Sequence, residues 1–417
     1  MKKLLALFIL TAAVLTAIPC SSTYAAEIDV SAPSAVLMDY NTGQILYEKN
    51  GDQKMYPASV TKILTAIIAL ENSNLNDSVT AGDDVLNTAG NKIYISPGEV
   101  LSMKDLVYSL LISSANDSAI VIADHISGSV DDFAEMMNEK AAEIGAKNTH
   151  FTNPNGLHDD DHYTTAKDMA MIARYAMKNK TFRTIVTTPK YVIQPTNKFD
   201  KVRELYPENK LLLNSKYKYE GADGVKTGYT TKSDHTLVAS ATRDGHRLIA
   251  VIMGAKGTAV WEDAIKLLDY GYDNYSLVTI NEKDQIVTAM KLKNLEIPLK
   301  TDEKFIAAIP DGKKDITKKI RLDEEVSFPI QSGAVLGKLE YYIDGKLIGK
   351  VDLITDNTYQ RSWFGKVNQV NAAEKNNPNR TVRILLVILI LLLAALILEL
   401  ISHLNRHKRY IFKKTSR

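Results

Sequence analysis

Pro57-Ala58-Ser59-Val60-Thr61-Lys62-Ile63-Leu64-Thr65-Ala66-Ile67-Ile68-Ala69-Leu70 is the stretch on which the reading of this chain turns. Pro57 suits a chain entering a helix, and the residues after Lys62 are almost wholly apolar, which predicts a helix buried in a core. Residues three apart share a helix face, so Lys62 stacks one turn beyond Ser59 with its amine in reach of the hydroxyl. Alone, an S-x-x-K pattern says little, because it arises on the order of once or twice by chance in a chain this long. Ser215-Lys216-Tyr217-Lys218 has the same spacing with no apolar run behind it, and reads as a solvated loop. In isolation Ser59 would be a helix cap and Lys62 a lysine reaching for water.

Two further stretches change that. Ser114-Ala115-Asn116 follows an apolar helix predicted over residues 106–112, and Lys226-Thr227-Gly228 precedes Tyr229. Separately they read as a capped helix end and the start of an edge strand. In order, each at the border of an apolar element, the three motifs describe a serine acyl-transfer site with a nucleophile, a proton carrier and a carboxylate clamp. A serine hydroxyl is too weak an acid to ionise unaided, so Ser59 needs Lys62 as its base. Lys62 must then be neutral, which burial and the positive charge of Lys226 favour. Ser114 would relay the proton to the departing amine while Asn116 fixes Lys62 and the substrate amide. Lys226 and Thr227 offer a cation and a hydroxyl to a free carboxylate, and Gly228 lets the substrate backbone lie close against the strand.

Over residues 31–276 the chain resembles the low-molecular-mass penicillin-binding proteins, the serine-type D-alanyl-D-alanine carboxypeptidases. Asn153-Pro154-Asn155-Gly156-Leu157, Val225-Lys226-Thr227-Gly228-Tyr229-Thr230 and Leu248-Ile249-Ala250-Val251-Ile252-Met253-Gly254 carry the likeness beyond the motifs. Ala115 stands where many members have Gly, a difference of packing more than of chemistry. The resemblance implies an α+β fold of the β-lactamase and penicillin-binding-protein transpeptidase-like kind. It also implies an oxyanion hole built from the backbone N–H groups of Ser59 and Tyr229. The implied reaction removes the terminal D-alanine of peptidoglycan stem pentapeptides through an acyl-Ser59 intermediate, with β-lactams acylating the same serine. No cofactor or metal is implied, and the cellular setting is cell-wall metabolism and cell shape.

Composition is compatible with this. The 417 residues are 45% hydrophobic and 24% charged, enough for two globular domains, and a net charge of +2 without a basic patch gives no sign of nucleic acid as a partner. Met1-Lys2-Lys3, an apolar stretch over 4–18, Pro19 and the small residues near Ala25 read as a secretory leader, cleaved after Ala25. Cys20 is the single cysteine and lies within it, so the mature chain has no disulfide and no thiolate site. Near the other end, residues 381–404 hold an apolar run that can cross about 30 Å of hydrocarbon. The basic segment 405–417 after it predicts a cytoplasmic tail and a catalytic body facing outward from the cell membrane.

Between these lie a peptidase domain over 26–276, an all-β spacer domain over 277–365 and an Asn-rich polar linker over 366–380. Hairpins are predicted over 35–39 with 44–48, and over 237–241 with 247–253 around Asp244-Gly245. A helix is predicted over 133–144, ended by Gly145. The spacer reads as short strands at 285–290, 305–309 and 326–330 and a hairpin at Asp344-Gly345.

Four rival readings are weaker. His158-Asp159-Asp160-Asp161-His162 could suggest a zinc peptidase but lacks the H-E-x-x-H helix. Glu208-Asn209-Lys210-Leu211-Leu212 misses the final Asn of a class A β-lactamase deacylation loop. A β-lactam receptor that signals inward would need a cytoplasmic domain, and a structural wall-binding protein has no use for a paired Ser59 and Lys62.

Overall fold

In a computed structural model the chain is described over residues 28–292, 295–312, 315–361, 367–370 and 378–414. The predicted leader over 1–25, with Cys20, and the linker residues 371–377 lie outside them. By its internal contacts the chain divides into a first unit, Met1–Val278 with Ile306–Lys314, and a second, Thr279–Phe305 with Asp315–Arg417.

The first unit is built on a five-stranded antiparallel sheet in the order Ile45–Lys49, Ser34–Asp39, His246–Ala255, Asp234–Arg243, Ala222–Thr230. Both predicted hairpins are present, and strands from the two ends of the unit meet where Ser34–Asp39 pairs with His246–Ala255. Successive side chains on a strand point to opposite faces, and here both faces are apolar. Val36, Met38, Val238, Ile249 and Val251 join the helical core on one side. Ala35, Leu37, Leu237, Ala239, Leu248 and Ile252 pack on the other with Val260, Ala264, Leu267 and Leu268 of the helix Ala259–Asn274. Sequestering each of those leucines contributes about 1.5–3 kcal/mol, so a sheet covered on both faces holds its strands in a single register.

The helix Lys62–Asn72 runs through the first core with every residue from Lys62 to Ala69 buried. It does not begin at Pro57. A 3-10 turn, Ala58–Thr61, comes first, with Ala58 at φ +51°. Three residues per turn eclipse positions i and i+3, which sets Lys62 over Ser59 more directly than an α-helix would. Helix Met103–Ile112 starts on a capping box between Ser102 and Asp105. Helix Val130–Ile144 ends on Gly145 at φ +95°, as its sequence implied.

The second unit contains a five-stranded antiparallel sheet in the order Ile286–Leu292, Leu295–Thr301, Lys346–Ile354, Val335–Ile343, Thr317–Leu322. Asp344 and Gly345, both at positive φ, join Val335–Ile343 to Lys346–Ile354 in the predicted hairpin. Residues 326–330 do not form the expected strand: Pro329 lacks an N–H for a ladder, and Ile330 alone bridges to Tyr359. A helix, Pro378–Lys414, follows, and its segment Leu385–His403 has mean hydropathy 3.1 with none of it buried, long and apolar enough to cross a membrane. Its backbone stays helical through most of the segment read as a tail.

Candidate active site

Ser59 sits on the 3-10 turn, Ser114 between the helices Met103–Ile112 and Asn116–Ser127, and Thr227, Gly228 and Tyr229 on the strand at the sheet edge. The three stretches meet along a cleft of about 310 Å³ lined by Ser59, Ser114, Asn116, Thr227, Gly228 and Tyr229. Lys62 Nζ is 2.9 Å from Ser59 Oγ and donates to the carbonyl of Asn155 at 2.5 Å. Lys62 is wholly buried. Burial and then the charge of Lys226 hold its pKa well below 10.5, against the opposing pull of Glu208 and Asp117. The amine is therefore poised to be uncharged while in contact with the hydroxyl.

Ser114 is buried at φ +58°, a left-handed conformation uncommon outside glycine, and this turns its side chain to the cleft wall between two helices. Asn116 does not bond to Lys62 as expected. Its Nδ2 donates to the Ala89 carbonyl at 2.7 Å, its Oδ1 is buried without a protein partner, and Lys62 is held instead by Asn155. Ala115 is fully buried at the start of the second helix, where its methyl group serves packing.

Lys226 is buried, bonds back to the Thr227 carbonyl at 3.0 Å and is not among the residues lining the cleft. Burial lowers it to about 8, opposed by Glu208. Gly228 is also the point of closest approach between strand and nucleophile turn. A Cβ there would lie 2.4 Å from Thr236 Oγ1 and 2.9 Å from the backbone nitrogen of Ser59, so its bareness lets the strand itself reach the nucleophile turn. Gly156, at φ +83°, does the same for the Asn153-Pro154-Asn155-Gly156-Leu157 loop, where a Cβ would overlap the Ala58 carbonyl at 2.0 Å.

Comparisons with known proteins give the family of the chain that carries this cleft. Residues 21–257 match the family described as D-alanyl-D-alanine carboxypeptidase. The chain belongs to the D-alanyl-D-alanine carboxypeptidase family. Residues 275–361 match the C-terminal domain of penicillin-binding protein 5. The chain is 32% identical over 380 residues to the D-alanyl-D-alanine carboxypeptidase DacF of Bacillus subtilis, covering 87% of this chain and 96% of that one. Among solved structures it is similar to penicillin binding protein 5 of Haemophilus influenzae, with TM-score 0.69, 30% identity, and 80% and 98% of the two chains covered. The Streptomyces K15 DD-transpeptidase gives TM-score 0.56 at 32% identity, over 59% of this chain and 99% of that one.

All three motifs of this D-alanyl-D-alanine carboxypeptidase family member fall inside the matched residues, and serine-type carboxypeptidase chemistry supersedes the β-lactamase and receptor readings. The decoy Ser215 donates its hydroxyl to the Lys210 carbonyl in a turn, and Lys218 is exposed. In the His158 to His162 loop, His162 is buried and both ring nitrogens are engaged. Nδ1 accepts from the Thr152 N–H at 3.0 Å, so Nε2 carries the proton and donates to Thr61 Oγ1 at 2.9 Å. This histidine braces the nucleophile turn. No group of three or more His, Cys, Asp or Glu placed to hold a metal ion occurs among the described residues.

Sequence reasoning left Asn155 and Glu208 without site roles. Asn155 was visible only as part of the Asn153 to Leu157 stretch that resembles the family, and its contribution is a backbone carbonyl that no side-chain pattern announces.

Proposed function

We propose that this chain trims the terminal D-alanine from peptidoglycan stem pentapeptides, with Ser59 as nucleophile and Lys62 as its base. The observation that carries the reading is the 2.9 Å contact between Lys62 Nζ and Ser59 Oγ in a buried setting that disfavours the ammonium form. In the neutral amine the contact runs with Ser59 O–H donating to the nitrogen lone pair, while an amine N–H stays on the Asn155 carbonyl. Attack of Ser59 Oγ on the penultimate D-alanine carbonyl forms a tetrahedral oxyanion. The backbone N–H groups of Ser59 and Tyr229 receive it, an arrangement worth about 3 kcal/mol per donor. Ser114 returns the proton to the departing amine, Asn116 holds the substrate amide with its unpartnered Oδ1, and Thr227, with Lys226 behind it, receives the terminal carboxylate. Water then hydrolyses the acyl-Ser59 ester. A β-lactam acylates the same oxygen.

The leader-like sequence over 1–25, the apolar helix Leu385–His403 and the basic residues after it support a membrane-anchored protein with the catalytic unit on the outer face and the segment 405–417 in the cytoplasm. The detergent-solubilised full chain releases D-alanine from a peptide ending in D-Ala-D-Ala and takes up tagged penicillin, and Ser59→Ala abolishes both. Release that survives Ser59→Ala and disappears on adding a chelator would replace this reading with a metallopeptidase.

A further inference from the structure

Glu208 supplies a carboxylate where the carboxypeptidase reading of this cleft, on which the following inference rests, places the carboxylate of the substrate. Its side chain is exposed and lines the cleft beside Thr227. Glu208 Oε2 accepts from Thr227 Oγ1 at 3.1 Å, and Oε1 accepts from Asn91 Nδ2 at 3.1 Å. Asn91 belongs to a separate loop, pinned where the buried Asp117 accepts from the N–H groups of Ile93 and Ile95 at 3.1 and 3.0 Å. No lysine or arginine is among the described residues lining the cleft, and Glu208 is the acidic one. Lys226, on the same strand, is buried with its ammonium on the Thr227 carbonyl.

A free carboxylate entering this subsite must take the Thr227 hydroxyl from Glu208 and then stand beside it. Like charges about 4 Å apart with water around them, as at the exposed Glu208, shift an equilibrium constant by roughly five- to tenfold. A terminal carboxamide meets no such repulsion, and its N–H donors match the Glu208 oxygens. We propose that Glu208 determines specificity for the end of the leaving residue, weakening recognition of a free carboxylate so that the enzyme also accepts peptides whose terminal D-alanine is amidated. The residue acts on binding of the leaving group and takes no part in proton transfer.

The test compares turnover by the full chain of two otherwise identical peptides, one ending in D-Ala-D-Ala and one in its carboxamide. It is run at about pH 6, below the Lys226 value of about 8. In the wild type the ratio of kcat/KM for acid over amide lies within about tenfold. Glu208→Gln raises that ratio by roughly tenfold, through a lower KM for the acid, and Glu208→Arg raises it further. An effect transmitted only through Lys62 would move both substrates together and leave the ratio alone. Variants that label with penicillin and turn over both peptides at an unchanged ratio overturn the proposal. A wild type that neither labels at Ser59 nor cleaves either peptide overturns the carboxypeptidase reading and this inference with it.

Discussion

The α-carbon of Gly228 is held so close to the nucleophile turn that an added methyl group would lie 2.9 Å from the backbone nitrogen of Ser59. That nitrogen is a proposed oxyanion donor. Strand and turn are also tied together where Thr236 Oγ1, on the neighbouring strand, donates to the Pro57 carbonyl at 2.8 Å.

Gly228→Ala therefore forces the strand away from Ser59 and spoils the geometry of the donor pair. The second-order rate of acylation by tagged penicillin falls by at least about a hundredfold, the equivalent of one lost donor, while the far-ultraviolet circular dichroism is retained. An alanine variant acylated at the wild-type rate would dissociate Gly228 from the oxyanion hole.

The two buried lysines set opposite limbs of the pH profile. Lys62 must lose its proton to act as base, so kcat/KM rises with pH through a value well below 10.5. Lys226 must keep its proton to favour a carboxylate, so kcat/KM falls again above about 8. Lys62→Arg, which cannot deprotonate, loses acylation across the whole range, by more than about a thousandfold. A rising limb that persists after Lys62 is replaced would assign it to another group.

Burial lowers His162 to about 4 from 6.5. Between those values the unfolded chain binds a proton that the folded one does not, so folding free energy is lost as pH falls from about 6.5 to about 4. The loss is on the order of 3 kcal/mol. His162→Gln keeps a hydrogen-bonding side chain without the titration, and the difference between variant and wild type in urea-unfolding free energy shrinks over that window. A difference constant with pH would place the acid sensitivity elsewhere.

Arg203 and Glu99 form a buried pair, with Nη1 to Oε1 at 2.8 Å and Nη2 to Oε2 at 3.1 Å, and Arg203 Nε also holds the Ile93 carbonyl at 2.9 Å. Burial pushes the Glu99 carboxyl up, and the Arg203 hydrogen bonds outweigh it together with those from Ser96 and Thr196. Arg203→Met leaves that carboxylate unpaired and destabilises the chain by about 3–5 kcal/mol in urea unfolding. The Asn91 loop is loosened at the same time, raising KM more than it lowers kcat. The double replacement with Glu99→Leu recovers much of the stability.

The motifs of the proposed site were legible in the chain because they are local. Ser59 and Lys62 are three residues apart, and the apolar run behind them needs only helix periodicity to be read as buried. The hairpins at Asn41-Thr42-Gly43 and Asp344-Gly345 announce themselves through turn residues that tolerate positive φ. The missed features are contacts between distant segments: the Asn155 carbonyl on Lys62, 93 residues away, and the Glu208 carboxylate on Thr227 and Asn91. The failed strand at 326–330 shows the converse error, an apolar run whose proline removes the donor a ladder requires.

Alternating apolar residues and three short motifs indicate from the sequence alone most of the elements that form, the faces they bury and the side chains proposed to carry the chemistry, since each depends on neighbours along the chain. The pairing of Ser34–Asp39 with His246–Ala255, and with it the meeting of nucleophile turn, Ser114 bend and Gly228 strand, is decided only by the packed tertiary structure. Close approach, desolvation of Lys62 and the carboxylate waiting at Thr227 are properties of surfaces that touch, and linear order does not specify which surfaces those are.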